Sequence, residues 1–394
     1  MSLDAQALLG TTRTLLPLVI EHRRALHRIP EIGLDLPETA TFVAAELRTC
    51  GLEPHRHGSG LWADIGTRGP LIALRADMDA LPIEEATGSA WASMFPGRMH
   101  ACGHDAHTAS LLVAARILAG EKDLPFRLRA IFQPGEEGYY GAKTLIEAGA
   151  LEGVAAIVGG HVGDLSDEMK PGQAAFLPGP MMAASDKFKG AFVGPGGHGS
   201  APHHSPDPVS GFAEFVLALN SLRAREFDQV KPAVISVCSV HAGSTYNVIP
   251  DRLECLGTAR SMEAGLRSLM ERRIGDTGRA IAGLRGLDFE YEWLGGYPPL
   301  ANDPVASEAA MKAAQRLLGP ERVLRLAAPI MGGEDFAYYL ERVPGLFWFF
   351  NTQNPEQGIV HTNHNPRFDI DENLLADFIA VNIGIAQVLA REFG

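Results

Sequence analysis

The chain has 394 residues, 46% of them hydrophobic and 21% charged, with a formal net charge of −13. That acidity argues against a nucleic-acid groove or an anionic membrane surface as partner, since both call for a basic stripe. Cys50, Cys102, Cys238 and Cys255 are too scattered for a disulfide framework and suit a reducing compartment. The stretch "MSLDAQALLGTTRTLL" lacks a basic n-region and a small-residue cleavage site, so a cytoplasmic location is expected. No apolar run approaches the roughly 18 residues that span a bilayer.

In chain order, helical periodicity runs through "LVIEHRRALHRIPE" and ends at Pro30; a second helix is predicted from Pro37 to Cys50, stopped by Gly51. "LIALRADMDALP" (71–82) begins as a buried strand and turns polar. "ACGHDAHTASLLVAARILAG" becomes helical after Asp105 and stops at Gly120. "FRLRAIFQP" (126–134) is a predicted strand running into "GEEGYYGAKTLIEAGAL", a predicted helix with two glutamates in its first turn. "VAAIVGGH" is another apolar strand, ending on His161. Short apolar strands alternating with helices predict an α/β fold, a mostly parallel sheet flanked by helices. In such a sheet the ligand crevice lies beyond the strand C-termini, where Asp77, Asp79, Glu136, Glu137 and His161 all fall.

The pattern changes near residue 184. Strand, helix, two strands, helix, strand predicts a small α+β insert resembling a ferredoxin-like plait. After Gly296 the α/β pattern resumes, with a helix near 304–318, the strand "LFWFF" and a final helix from Glu372. The expected organisation is a discontinuous catalytic domain, 1–184 and 297–394, around an inserted domain at 185–296.

Cys102 and His104 stand two residues apart and can both face a borderline-soft cation. Taken alone, a C-x-H also fits a buried thiol beside a helix N-terminal histidine. Glu136 and Glu137 are adjacent, so one can ligate a metal while the other handles a proton; first-turn acids also simply stabilise a helix dipole. His161 adds a further donor, and "GIVHTNHNPRFDID" adds His361 and His364. Together these supply one thiolate, several imidazoles and at least two carboxylates, enough for a mixed sulfur, nitrogen and oxygen site holding up to two metals.

Eight blocks occur in the order of one known family: "ALRADMDALPIEE", "MHACGHDAHTASLLVAA", "FQPGEEGYYGAKTLIEAGAL", "GPGGHGSAPH", "GSTYNVIPD", "GTARSM", "MGGEDFAYYLERVPG" and "HNPRFDID". They resemble the hippurate hydrolase, N-acyl-amino-acid amidohydrolase and auxin–amino-acid conjugate hydrolase branch of the co-catalytic zinc-metallopeptidases. The resemblance implies that Cys102 bridges two divalent metals, zinc, manganese, cobalt or nickel. Glu137 and His364 would complete one ion's shell, with His361 the alternative to His364; His104 and His161 would complete the other's. Glu136 resembles the general base and Asp79 an aspartate that orients a ligand, with Asp77 beside it. His100, His107 and Asp105 take supporting places. In the insert, His198 and Asn247 resemble residues that reach the substrate from a lid, and Arg260 is a candidate for its carboxylate. Pro195 and Gly333 depart from the family's usual residues without removing a ligand.

The implied activity is hydrolysis of small N-acyl amino acids by a metal-activated water, in a homodimer or higher homo-oligomer joined through the insert. Two other classes remain open at this point. A Cys102-dependent hydrolase would survive chelators and die on alkylation. A metal-binding scaffold would be inert across N-acyl amino acids.

Overall fold

The structure, a computed structural model, describes residues 4–394. The first part of the chain forms helices α1 (Ala5–Thr14), α2 (Leu16–His27) and α3 (Pro37–Thr49), then strands β1 (His55–His57), β2 (Gly60–Ile65) and β3 (Leu71–Asp77). Helix α4 (His104–Ala119), β4 (Arg127–Gln133), α5 (Gly141–Glu147), β5 (Val154–Val162) and β6 (Ala174–Phe176) follow. Next come β7 (Gly179–Met182), β8 (Ala184–Val193), β9 (Gly197–His198), α6 (Pro208–Arg225), β10 (Ala233–Ala242), β11 (Val248–Ile249), β12 (Arg252–Ser261), α7 (Ala264–Arg285) and β13 (Asp288–Tyr297). The chain ends with β14 (Leu300–Asn302), α8 (Pro304–Leu318), β15 (Val323–Arg325), α9 (Ala337–Leu340), β16 (Gly345–Phe350) and α10 (Leu375–Glu392).

These elements form two compact units. One runs to Gly179 and resumes over Ala301–Ile330 and Asp335–Gly394; the other comprises Pro180–Leu300 and Met331–Glu334.

The first unit is built on an eight-stranded sheet, ordered β1-β2-β4-β3-β5-β16-β6-β15. Its centre, β4-β3-β5-β16, is parallel, while β1 with β2, β2 with β4 and β16 with β6 are antiparallel. Central parallel strands are covered on both faces, so they read as continuous apolar runs; every residue of β3 and β16 is buried. The two glycines of β5 are fixed by size. Gly159 and Gly160 pair with Phe347 and Trp348 of β16, and a Cβ on either would come within 2.6 Å of those rings. Helices α4 and α10 pack against β3 and β5. Helix α10 with its preceding turn (Glu372–Glu392) is long and apolar enough to cross a membrane, but 72% of that stretch is buried within the unit, as befits a core helix.

The N-terminal segment departs from the sequence expectation of one helix. It breaks at Leu15 because Pro17, in the first turn of α2, has no N–H to continue the ladder and its ring excludes the carbonyl four residues back.

The second unit has the order β8, α6, β10, β12, α7, β13, with the antiparallel sheet β10-β12-β8-β13. This is the ferredoxin-like arrangement. Phe188, Phe192, Phe215, Met270 and Ile274 fill its own core between sheet and helices.

Candidate metal centre

The parallel strands deliver polar residues to one edge of the first unit's sheet. Asp77 ends β3 and Asp79 lies just beyond; Glu136 and Glu137 follow β4; His161 is the penultimate residue of β5. Cys102 sits in the turn before α4 and His104 opens that helix. His364 belongs to the irregular segment before α10, and its φ of 67° lies in the left-handed region. That conformation costs an ordinary residue about 1 kcal/mol, and it is held here by the His364 N–H, which donates to Ala101 O at 2.7 Å.

Their donor atoms fall into groups whose members lie within 4.8 Å of one another. One is Cys102, His104 and His161; a second is Cys102, Glu137 and His364; a third joins Glu136 to His104 and Glu137. Cys102 Sγ is common to the first two. His361 joins none of these groups among the described residues.

Hydrogen bonds set the histidine tautomers. His104 Nδ1 donates to Asp79 O at 2.9 Å and His161 Nδ1 to Val162 O at 2.8 Å. With Nδ1 committed to a carbonyl, Nε2 is the nitrogen each ring turns toward the cluster, the one a metal would take, displacing any proton it holds. His161 Nε2 is 3.4 Å from Cys102 Sγ, close to the ~3.5 Å separating a sulfur and a nitrogen on one tetrahedral zinc. His104 Nε2 is buried with no hydrogen-bond partner among the described residues, and so is Glu137 Oε1. The latter lies 3.2 Å from His364 Nε2 without hydrogen-bond alignment, as two atoms would whose lone pairs converge on a common point. Buried polar atoms left bare are costly, and a cation between them removes that cost. The residues present fit a metal centre.

The electrostatics agree. Burial would depress His104, but Asp77, with Asp79 and Glu137, overcomes it and pushes the imidazole up to about 10; the site favours positive charge. Burial and the neighbouring His107 hold His161 well below the usual histidine range, so it stays neutral. Burial, reinforced by Glu137, Glu136 and Asp77, pushes the Cys102 thiol well above its ordinary value. Without a cation beside it, this sulfur is a protonated thiol and a poor nucleophile.

Residues 73–383 match the model of peptidase family M20/M25/M40. The chain belongs to this family. The N-acetyl-L-cysteine deacetylase of Bacillus subtilis is 39% identical over 92% of this chain and 86% of its own. The IAA-amino acid hydrolase ILR1-like 4 of Arabidopsis thaliana is 37% identical over 90% of this chain and 81% of its own. A solved dinuclear metal-binding peptidase of the M20 family from Bacillus subtilis superposes with a TM-score of 0.81 at 33% identity, covering 96% of this chain and 98% of that one. As an M20 member with this donor set, the chain is a metal-dependent amide hydrolase.

Within this M20 centre the glutamates are not in the first turn of a helix, contrary to the sequence expectation. They occupy a turn that ends before α5 starts at Gly141. Positive φ at Gly135, Gly138 and Tyr140 (69°, 91° and 62°) keeps the backbone out of helix. The Asp79 carboxylate takes the place of a helix cap, accepting the Glu136 N–H at 2.9 Å and the Glu137 N–H at 3.0 Å. Asp79 thus fixes both glutamates and, through its carbonyl, His104.

In the second unit, His198 pairs with Val248, next to Asn247, in the β9–β11 ribbon. The exposed His198 ring accepts at Nδ1 from the Ser200 N–H at 3.1 Å, so Nε2 carries the proton. Arg260, half-buried on β12, donates to Ala259 O at 3.1 Å and to the Thr258 hydroxyl.

Further residues surround the first unit's site: His107 and His100, singled out in the sequence, and Arg75, Asp335 and Asn363, which were not. His107 donates from Nδ1 to Asp77 Oδ1 at 2.6 Å and accepts at Nε2 from the Val162 N–H at 2.9 Å; both nitrogens are used, so it supports the centre without ligating. Arg75 bridges Asp77 (2.5 Å) and Asp335 (2.9 Å). Asp335 also accepts from Gln133 and the Ala142 N–H, and its own N–H points to Glu136 Oε1 at 3.4 Å. The Asn363 amide donates to Cys102 O at 3.0 Å and Val162 O at 3.2 Å, pinning two ligand-bearing segments together. His100 is buried, and burial pushes it down to about 3, so it is a neutral packing residue.

Behind the centre lies a buried charge cluster. Asp105 accepts from Arg23 Nε at 3.0 Å and from His27 Nδ1 at 2.8 Å. Burial alone would lower His27, but its bonds to Asp105 and Glu85 prevail and push it up to about 9. With the folded value above the unfolded one near 6.5, this pair's stabilisation is complete below pH 6.5 and lost as pH climbs through 9. The stability difference between wild type and His27→Gln should therefore shrink by ~3 kcal/mol from pH 6 to pH 10. Denaturant melts across that range measure it; a pH-independent difference would refute the charged pair.

Proposed function

We propose that the protein hydrolyses the amide bond of small N-acyl amino acids, giving a carboxylic acid and a free amino acid. The observation that carries this reading is the pair of donor triads sharing Cys102 Sγ, with the Glu136 carboxylate beside them. Two divalent ions, drawn from zinc, manganese, cobalt or nickel, would be held by Cys102 with His104 and His161, and by Cys102 with Glu137 and His364. When bound they polarise the scissile carbonyl and make water a better nucleophile near neutral pH. Glu136 then accepts the water proton and returns it to the departing nitrogen, acting as base and then as acid. Asp79 holds the Glu136 backbone so that this carboxylate faces the donor cluster. His198, Asn247 and Arg260 are assigned to substrate, His198 as a proton-bearing donor for the developing oxyanion.

The names of the relatives support a small acyl or aryl-acyl group on the amino acid nitrogen. The test is a hydrolysis screen of N-acetyl, N-benzoyl and indoleacetyl amino acids alongside elemental analysis. Turnover of at least one class with two metal equivalents per chain is expected; metal-replete protein inert to all three would refute the reading.

The same reading includes a cytoplasmic location and a homodimer or higher homo-oligomer joined through the insert. All four cysteines are free, and β10 is an edge strand of ten residues without proline, followed by a fully exposed Tyr246. Such an edge is a template for strand pairing. Sedimentation at the mass of a single chain would rule the oligomer out.

A further inference from the structure

We infer that Arg23 is a positioning residue for the metal centre: its guanidinium ties the segment that carries His364 to the helix that carries His104. The inference rests on the two-ion reading above. Arg23 lies on α2, far from the ligands in sequence, and its side chain is 1% exposed. Its fork contacts three carboxylates: Nε donates to Asp105 at 3.0 Å, Nη1 to Glu372 at 3.0 Å and Nη2 to Asp369 at 2.7 Å. Asp105 directly follows His104. Asp369 and Glu372 close the segment that begins at His364. A single planar cation thus spans the supports of both ion sites, a geometry lysine cannot reproduce.

The two supports do not depend on it equally. His104 is completely buried in a regular helix, its ring is bonded to Asp79 O, and Asp105 keeps His27 when Arg23 is lost. His364 has a side chain 55% exposed and a left-handed backbone in an irregular segment. Besides Arg23, that segment is held by Arg24, which donates to Glu372 at 2.6 Å, by the Asn354 amide on Asp371 at 2.8 Å, and by backbone or amide bonds nearer His364: Asp371 N–H to Thr352 O, His364 N–H to Ala101 O, Asn363 to Cys102 O and Val162 O, and Ala86 N–H to Pro366 O. Apart from Arg23, the Asp369 carboxylate accepts among the described residues only from the neighbouring Ile370 N–H, at 2.8 Å. Loss of the guanidinium should therefore loosen His364 and spare His104. A fully buried charge is costly to fold around, and fixing one arrangement of segments is its best-attested use.

The experiment is calorimetric titration of metal-free protein with Mn²⁺, on wild type, Arg23→Lys, Asp369→Asn, the double variant and His364→Ala. Wild type should bind two ions, and His364→Ala should mark the step that its ligand serves. Arg23→Lys and Asp369→Asn should each weaken that step tenfold or more while changing the other by less than threefold. The double variant should be no worse than the weaker single one. Equal weakening of both steps, or of neither, overturns the positioning role, since general destabilisation would not select one ion. Wild type binding fewer than two ions, or His364→Ala keeping both, overturns the two-ion reading and the inference with it. If Arg23→Lys fails to fold, Asp369→Asn carries the test alone, because Asp369 is partly exposed.

Discussion

Glu136→Gln lowers kcat by about a thousandfold, leaves KM within a few-fold and leaves the metal content intact. The amide is isosteric with the carboxylate, so the turn held by Asp79 keeps its shape, but it can no longer accept a proton from water. General-base catalysis contributes 10²–10⁴-fold, and a thousandfold loss is ~4 kcal/mol of barrier. Glu136 is only 6% exposed, so bulk water cannot readily substitute for the lost base. The neighbouring Glu137→Gln should behave differently: it removes a ligand, so bound metal falls together with activity. Steady-state kinetics with elemental analysis on both variants separate the two roles. Activity within tenfold of wild type for Glu136→Gln would move the proton chemistry to another group, and metal loss in that variant would make Glu136 a ligand.

The distinction matters because the two glutamates looked equivalent in sequence, and there they were placed on a helix they do not enter. Acidic residues ahead of an apolar, periodic stretch are the usual mark of a helix start. The marks against it, positive φ at Gly135, Gly138 and Tyr140, are properties of the folded backbone. Most of the sheet was more legible. The strands β3, β4 and β5 read as apolar runs because both faces are covered, and their polar ends pointed to the crevice. The ligand types were legible as well, since a thiol, imidazoles and carboxylates crowd these strand ends.

The arginine supports of the centre were not legible, for a reason of distance along the chain. Arg23 meets Glu372 across 349 positions and Arg75 meets Asp335 across 260. No local period encodes such a pairing, and Arg23 in "EHRRALHR" looks like any cation on a helix surface. Arg75 did leave a trace. An arginine inside the apolar strand "LIALRAD" has an aspartate two positions on, and residues i and i+2 share one face of a strand. A charge buried there needs a partner of opposite sign, and Asp77 is such a partner.

Cys102→Ala carries the second large effect, because it deletes the one donor shared by both triads. His364→Ala should cost one ion and leave the other, whereas Cys102→Ala should reduce bound metal below one ion per chain and abolish measurable turnover, a loss of at least a thousandfold. Cys102→Asp sharpens the argument. A carboxylate can also bridge two cations, but it is a harder ligand than a thiolate, so metal binding and some activity should return with preference shifted from zinc toward manganese. Restored binding would show that position 102 serves as a ligand, for an aspartate there has no thiolate to attack a carbonyl. The opposite pattern belongs to a cysteine nucleophile: metal content untouched in Cys102→Ala, wild-type activity indifferent to chelators, and no rescue by aspartate. The buried thiol, pushed upward by Glu137, Glu136 and Asp77, makes that pattern the less expected one. A thiolate forms there only where a cation offsets those carboxylates, and elemental analysis of the three proteins before and after dialysis against chelator decides between the two.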